Sequence, residues 1–326
     1  MSVKEEVLAC LEQEKGAFIS GEALAQRLGV SRNAVWKAIK ALEAQGYAIE
    51  GVTKKGYRLA QACSILSAAS VRRYAGSSVT SIEYHDSIDS TNNRAKELAT
   101  QGCPAGTLVV ANQQTAGRGR QGRPFYSPSG SGVYFSLVLR PGFALTDITA
   151  VTSYAAVCTA QSIEEVFGTP VQIKWVNDLF AQGRKCCGIL TEASILPESG
   201  GIDYIVVGIG VNVSTPQGGF PGEVAQVAQA LCSGNPDEAD GRARLAARTA
   251  TLIAEGAEEI PAKPHLAEYR RRSLLDGRCV IVEEGRQSYR ATVLGINDDL
   301  SLRVRLEDGS ERALNHGEVH IPSSQL

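Results

Sequence analysis

Most of the residue patterns that would announce a chemistry are missing from this 326-residue chain. Its 8 cysteines include no C-x-x-C pair, so neither a zinc ribbon nor a dithiol redox site has the spacing it needs. No G-x-x-x-x-G-K-[ST] occurs, which excludes a P-loop, and neither G-x-S-x-G nor H-E-x-x-H is present. The 4 histidines stand apart from one another. No apolar run approaches the roughly 20 residues needed to span a bilayer. The first residues, Met1 to Glu14, mix charge with apolar positions and lack the apolar stretch of a secretory leader. A chain of this length needs no disulfides, so its cysteines are expected to be reduced thiols of a cytoplasmic protein. Adjacent Cys186 and Cys187 then read as small buried strand residues rather than metal ligands. The net charge of −2 excludes a globally basic nucleic-acid binder, and any DNA contact must rest on a local patch.

What is present begins with three short helices. Val3, Val7, Leu8 and Leu11 recur at helical spacing. Ser20 is placed to cap a second helix that carries Leu24 and Leu28 and ends at Gly29. Ser31 would cap a third, with Val35, Trp36, Ile39 and Leu42 expected on its core face. A strand at Gly46–Ile49, a turn at Lys54-Lys55-Gly56 and a returning strand at Tyr57–Leu59 complete a winged helix-turn-helix. Between Ser31 and Arg58 six Lys/Arg face only Glu43 and Glu50, a local charge of +4. The expected DNA contacts are Ser31, Arg32, Asn33, Lys37 and Lys40 on the third helix, and Lys54 and Lys55 on the wing. A solvated basic face, or a winged helix used for protein contacts, fits the same pattern. Residues 60–69 are small and mostly neutral and read as a linker.

The central region mixes strands and helices. Strands are expected at Ile82–His85, Thr107–Ala111, Val133–Leu139, Val171–Trp175, Cys187–Ala193 and Tyr204–Val213, and helices at Thr91–Thr100 and Ala150–Val166. Closely spaced strand pairs point to a mixed or antiparallel sheet with helices on one side. After the second strand comes Gly117-Arg118-Gly119-Arg120-Gln121-Gly122-Arg123. It spells G-x-G-x-x-G, yet Pro124 and Pro128 follow where a dinucleotide fold requires a helix. Mobile glycine backbone with three guanidinium groups suits a loop that closes over a carboxylate or phosphate. A solvated RGG-like segment is the bland alternative.

Three further clusters stand out. Asp86 to Asn93 places hydroxyls and amides at a strand-to-helix corner, either as a helix cap or as partners for a neutral polar ligand such as a urea. Lys174-Trp175-Val176-Asn177-Asp178 would enter a hairpin turn, and the returning strand brings Lys185 back across the sheet, where surface and functional roles are equally open. Glycines within Val207-Gly208-Ile209-Gly210-Val211-Asn212 mark close approach of a ligand or another backbone.

Taken in order, Asp89-Ser90-Thr91-Asn92, Gln114 with the Gly/Arg loop, Lys174 to Asp178, Lys185 with Gly188-Ile189-Leu190, and Gly208 to Asn212 resemble the biotin–protein ligases of the bifunctional kind that also repress the biotin operon. The resemblance spans essentially the whole chain. It implies an α+β multidomain protein: a winged helix at residues 1–63, a class II synthetase-like catalytic domain with a mixed sheet at 64–272, and a C-terminal SH3-like barrel at 273–326. The last segment independently shows short strands at Arg278–Val282, Gln287–Val293, Leu300–Leu306 and Ser310–Asn315. The implied reaction makes biotinyl-5′-AMP from biotin and Mg2+-ATP, then transfers biotin to a lysine of a biotin carboxyl carrier protein. Carried over, Ser90, Thr91, Asn92, Gln114, Arg118, Gly119, Arg120 and Lys185 would bind biotin. Arg118, Arg120, Asn177, Asp178, Lys185 and Asn212 would bind the nucleotide. Lys185, Arg120 and Asp178 would be catalytic, with Asp178 also meeting Mg2+. Biotinyl-5′-AMP as corepressor, operator DNA of biotin genes and a ligand-promoted homodimer complete the implied plan, with no membrane partner. The chain departs from the family at Val176, where proline is usual, and at Phe125, where tryptophan is common. Two alternatives remain: a ligand-sensing transcription factor without ligase activity, and a lipoate–protein ligase.

Overall fold

The computed structural model describes residues 2–143, 148–196, 201–285 and 287–322. The first unit is built from α1 (Val3–Gln13), α2 (Gly21–Leu28), α3 (Arg32–Ala44) and the hairpin β1 (Ile49–Val52)–β2 (Gly56–Leu59). Ser20 and Ser31 cap α2 and α3 by accepting from the Ala23 and Ala34 amides, and Gly29 ends α2 in the left-handed region. Both devices satisfy amides or carbonyls that a helix end otherwise leaves bare. Val7, Leu11, Leu24, Val35, Ile39 and Leu42 close one core. Trp36 does not join it: the side chain is 49% exposed, so the core face of α3 is Val35, Ala38, Ile39 and Leu42. The wing strand also starts later than expected, at Ile49. Residues 60–69 are more than a linker, because Cys63 and Leu66 are buried and α4 (Ala68–Tyr74) already begins there.

The central sheet has seven strands in the order β3 (Ser81–His85), β4 (Thr107–Ala111), β5 (Gly132–Leu139), β9 (Ile202–Asn212), β8 (Arg184–Ile195), β7 (Asp178–Ala181) and β6 (Gln172–Lys174). Only β3 and β4 run parallel, so the sheet is mixed. Side chains alternate between its faces. Leu108, Val110, Phe135, Leu137, Val207 and Ile209 point to the main core, under α6 (Ile148–Phe167) and α8 (Gly241–Glu255). Val109, Val138 and Val206 point the other way, where α5 (Thr91–Thr100) covers them with Ala95 and Ala99. Helices therefore lie on both faces, not one. The cause is legible in β4, whose five residues are all buried and could not sit in a one-sided sheet. Because α5 covers only part of its face, the rest stays open, and the site lies there.

Short helices α7 (Val224–Val227) and α9 (Leu266–Arg271) precede a five-stranded antiparallel sheet. Its strands β10 (Cys279–Glu284), β11 (Gln287–Ile296), β12 (Leu302–Leu306), β13 (Glu311–Leu314) and β14 (Glu318–His320) lie in the order β13-β12-β11-β10-β14. Four strands are visible in sequence; β14, at three residues, is too short to show a period. The central sheet and this C-terminal sheet share one core, and the Trp175 indole donates to the Leu300 carbonyl across the seam at 2.9 Å. None of the described helices is long and apolar enough to cross a membrane.

Candidate active site and nucleic-acid interface

The floor of the open pocket is made by what its strands lack. Gly188 on β8 pairs with Gly210 on β9, and Gly208 is flanked by Leu190 on β8 and Ser136 on β5. A methyl group at Gly208 would fall on the Asn92 amide, and one at Gly210 would lie 2.5 Å from the Phe125 ring. These glycines are therefore required by close approach, which is the reading their place inside a strand suggested.

At one end of the floor sits a neutral hydrogen-bonding cluster. Thr91 donates to Gln114 Oε1 from both its amide (2.9 Å) and its hydroxyl (3.1 Å). The Ser136 hydroxyl lies 2.6 Å from Asn92 Oδ1 and 2.8 Å from Thr91 Oγ1. Asn92 Nδ2 donates to Glu192 at 2.8 Å, and Gln114 Nε2 to the Ser127 hydroxyl at 3.0 Å. Ser90 caps α5 without using its hydroxyl, which has no partner among the described residues, and it lines the pocket. Burial pushes the Glu192 carboxyl up, but hydrogen bonds from Asn92 and Lys96, with the charges of Lys96 and Arg118, outweigh it and hold Glu192 below the usual range.

The other end is cationic. Lys185 Nζ is 2.7 Å from Asp178 Oδ1, and Lys174 lines the same wall. Burial pulls the Lys174 ammonium below the ordinary lysine range; Asp178 opposes this and Lys185 adds to it. Two hairpins place these groups, one bending at Trp175-Val176-Asn177 and one at Gln182-Gly183. The expected single turn is thus a pair, and Asp178 starts β7 rather than lying in a turn. Asn177 is fixed by donating to the Ile189 carbonyl at 2.7 Å, and the Tyr269 hydroxyl donates to the Val176 carbonyl at 3.0 Å. The Trp175–Val176 peptide is cis.

The Gly/Arg loop roofs both ends as a small hairpin. Gly119 N bonds Arg123 O at 2.7 Å and Phe125 N bonds Gly117 O at 2.9 Å. Arg120 reaches Asn177 Oδ1 at 3.3 Å, Arg118 reaches Asn93 Oδ1 at 3.0 Å, and Arg123 pairs with Glu318 of β14 at 2.6 Å. The Phe125 ring lies over Gly188 and Gly210 and meets Tyr134 edge-on.

The structure thus brings together Ser90, Thr91, Asn92, Gln114, Arg118, Gly119, Arg120, Asn177, Asp178 and Lys185. Asn212 is the exception; it lies beyond Gly210 on β9, outside the residues that line the pocket. Ser136 was not among the expected site residues; its signal in sequence is a single serine inside the otherwise apolar and aromatic strand Val133–Leu139. Lys174 and Glu192 were not among them either. Glu318 and His320, which close the pocket from the C-terminal sheet, carried no local signal at all.

Comparison with known proteins agrees. Residues 84–212 match the biotin/lipoate A/B protein ligase family, and residues 3–58 match an HTH domain. The chain is 39% identical over 241 residues to the bifunctional ligase/repressor BirA of Bacillus subtilis, covering 73% of this chain and 74% of that one. It is 34% identical over 204 residues to the Escherichia coli protein of the same name, covering 61% of this chain and 60% of that one. The chain belongs to the biotin protein ligases. A solved member, the Aquifex aeolicus ligase in complex with biotin and ATP, superposes with a TM-score of 0.60 at 27% identity over 74% of this chain and 97% of that one.

This ligase carries a second exposed surface on its winged helix. Arg32, Asn33, Lys37 and Lys40 of α3 and Lys54 and Lys55 of the wing are solvent-facing. Three expected contacts are partly engaged elsewhere: the Ser31 hydroxyl accepts from the Ala34 amide, Lys40 pairs with Glu43, and Lys55 lies over the Phe18 ring at 5.8 Å. Arg58 pairs with Glu50 and stacks over Phe18 at 4.6 Å, which stiffens the wing.

Proposed function

We propose that this pocket binds biotin and ATP, joins them as biotinyl-5′-AMP, and passes biotin to a lysine of a biotin carboxyl carrier protein. The observation that carries the reading is the two-ended pocket. A neutral cluster of hydroxyls and amides sits at one end and Lys174, Lys185 and Arg120 at the other, with a glycine floor between them and Arg118 of the roof reaching over the neutral end. Biotin has that polarity, a neutral ureido ring joined by a short chain to a carboxylate. Ser90, Thr91, Asn92 and Gln114 hydrogen-bond the ring. Lys185, with Arg118 and Arg120, draws the biotin carboxylate and the ATP α-phosphate together and offsets their mutual repulsion. A carboxylate oxygen attacks the α-phosphorus and pyrophosphate leaves. The carrier lysine, as free amine, then attacks the acyl carbon, forms an amide and expels AMP. Neither step needs a covalent enzyme intermediate.

Asp178 is the residue that would hold Mg2+. Its Oδ1 is buried with Lys185 beside it, and one carboxylate suits an ion that arrives on phosphates and keeps most of its waters. When bound there, Mg2+ supplies charge to neutralise the phosphate oxygens. Asn177 holds the turn that presents Asp178 and, with Arg118 and Arg120, borders the nucleotide.

The winged helix adds repression: biotinyl-5′-AMP acts as corepressor, the loaded protein pairs as a homodimer, and the dimer binds operator DNA of biotin genes. Incubation of the purified chain with ATP, a carrier domain and labelled biotin or lipoate tests the enzyme. Label from biotin and not lipoate on the carrier lysine is the expected result. Transfer of lipoate alone makes it a lipoate ligase, and biotin binding without transfer makes it a sensor.

A further inference from the structure

We infer that Trp36 is an apolar base reader, entering the major groove among the basic residues of α3 and packing on a thymine methyl group. The inference rests on the DNA-binding reading of the winged helix.

The sequence pattern puts Trp36 with the core residues of α3, but the structure turns it outward. It is 49% exposed and is the largest of the exposed apolar side chains. The other tryptophan, Trp175, is buried and donates to a carbonyl. Trp36 makes no hydrogen bond among the described residues. Spacing of four residues stacks Arg32, Trp36 and Lys40 into one stripe, with Asn33 and Lys37 beside it. Trp36 is the fifth residue of α3, within the N-terminal half that a recognition helix lays against base edges.

The surroundings decide the occupant. An apolar protein partner would have to bury Arg32 and Lys37 beside the indole without counter-charges among the described residues, while Lys40 has only Glu43. A DNA duplex supplies phosphates on both rims of its major groove, with Lys54 and Lys55 of the wing reaching beyond. Inside that groove the only apolar group on a base edge is the C5-methyl of thymine. A flat, rigid indole covers it at little conformational cost.

The test uses the full chain, loaded with biotin and ATP, in rounds of selection from random duplex DNA. Wild type, Trp36→Ala, Trp36→Phe and a Lys54→Ala/Lys55→Ala pair are compared. Carrier biotinylation in each variant confirms an intact protein, since Trp36 lies outside the catalytic pocket. Wild type is expected to enrich a motif with a thymine at one fixed place in each half-site. Trp36→Ala should lose preference at that place alone and bind the selected duplex about 10-fold more weakly, with an unchanged salt slope. Trp36→Phe should keep part of the preference. The lysine pair should weaken all sequences and flatten the salt slope instead. Tryptophan emission should shift when wild type meets the selected duplex and stay still in Trp36→Phe. If Trp36→Ala enriches the wild-type motif at wild-type affinity, Trp36 is no reader, although the DNA reading stands. If wild type enriches no motif while still biotinylating the carrier, the DNA reading itself fails, and this inference with it.

Discussion

The proposed function divides single side chains of the pocket into binding and chemistry, and experiment can separate them. Lys185 is about one-third exposed and supports no core packing, so Lys185→Ala should keep the fold, with some loss of melting temperature because Asp178 Oδ1 loses its counter-charge. Adenylation, followed as biotin-dependent pyrophosphate release, should fall roughly 10²–10³-fold, the usual loss for one group facing a developing phosphate charge. Near-normal release would remove Lys185 from the mechanism. Gly208→Ala should act on the opposite end. Its methyl group would displace Asn92 and break the contacts to Ser136 and Glu192. Biotin affinity measured by calorimetry should drop about 10-fold or more, while ATP binding holds. Equal loss of both ligands would mean that the sheet, rather than Asn92, had been disturbed.

The Gly/Arg hairpin behaves as one element. Its Arg120 end touches Asn177, its Arg123 end is tied to Glu318, and Phe125 lies on the glycine floor. On the proposed function, a roof held at both ends would keep water off a mixed anhydride that hydrolyses readily. Arg120→Gly removes the inner tie and adds backbone freedom. Pyrophosphate release should continue in that variant, but biotinyl-5′-AMP should escape, measured as adenylate in the filtrate and as labelling of bystander lysines. Tight retention of the adenylate would assign the loop another task. The G-x-G-x-x-G spelling of this element is incidental, because Pro124 and the strand-like return exclude the helix that fingerprint serves.

Across the whole molecule, the winged helix is locked to the catalytic domain through buried charge. Lys15 Nζ lies 2.8 Å from Asp240 Oδ1, and the Tyr74 hydroxyl donates to the same carboxylate at 2.7 Å. Glu12 sits beside them, 1% exposed, with Lys15 at 3.7 Å and Arg73 at 3.9 Å but no hydrogen bond to either carboxylate oxygen. Burial pushes its carboxyl from 4.5 up to about 7, opposed by Lys15. A folded-state pKa above the unfolded one adds stability below pH 4.5 that is lost as pH rises through about 7. Stability to urea should therefore fall between about pH 4.5 and 7, by up to about 3 kcal/mol, and Glu12→Gln should flatten that slope. An identical slope in the variant would place the pH dependence elsewhere. Assembly is the second property at this level. Sedimentation should show a monomer or weak dimer without ligand and a dimer with biotin and ATP. A mass that does not move with ligand would uncouple assembly from the adenylate.

Residues 3 to 59 declared a winged helix because caps, helical period and turn chemistry are local, written within a few positions of where they act. The motifs of the site were legible for a related reason: glycine inside strands and arginine in a loop are unusual enough to need an explanation wherever the chain places them. Distance in sequence hid the rest. No local pattern could say that Ser136 would meet Asn92, that Glu318 of the last described strand would hold Arg123, or that α5 would cover the second face of the sheet. Trp36 shows the same limit from the other side. Its spacing fits the core face of α3, yet α1, α2 and the wing fill that face without it, and packing alone left the indole in solvent.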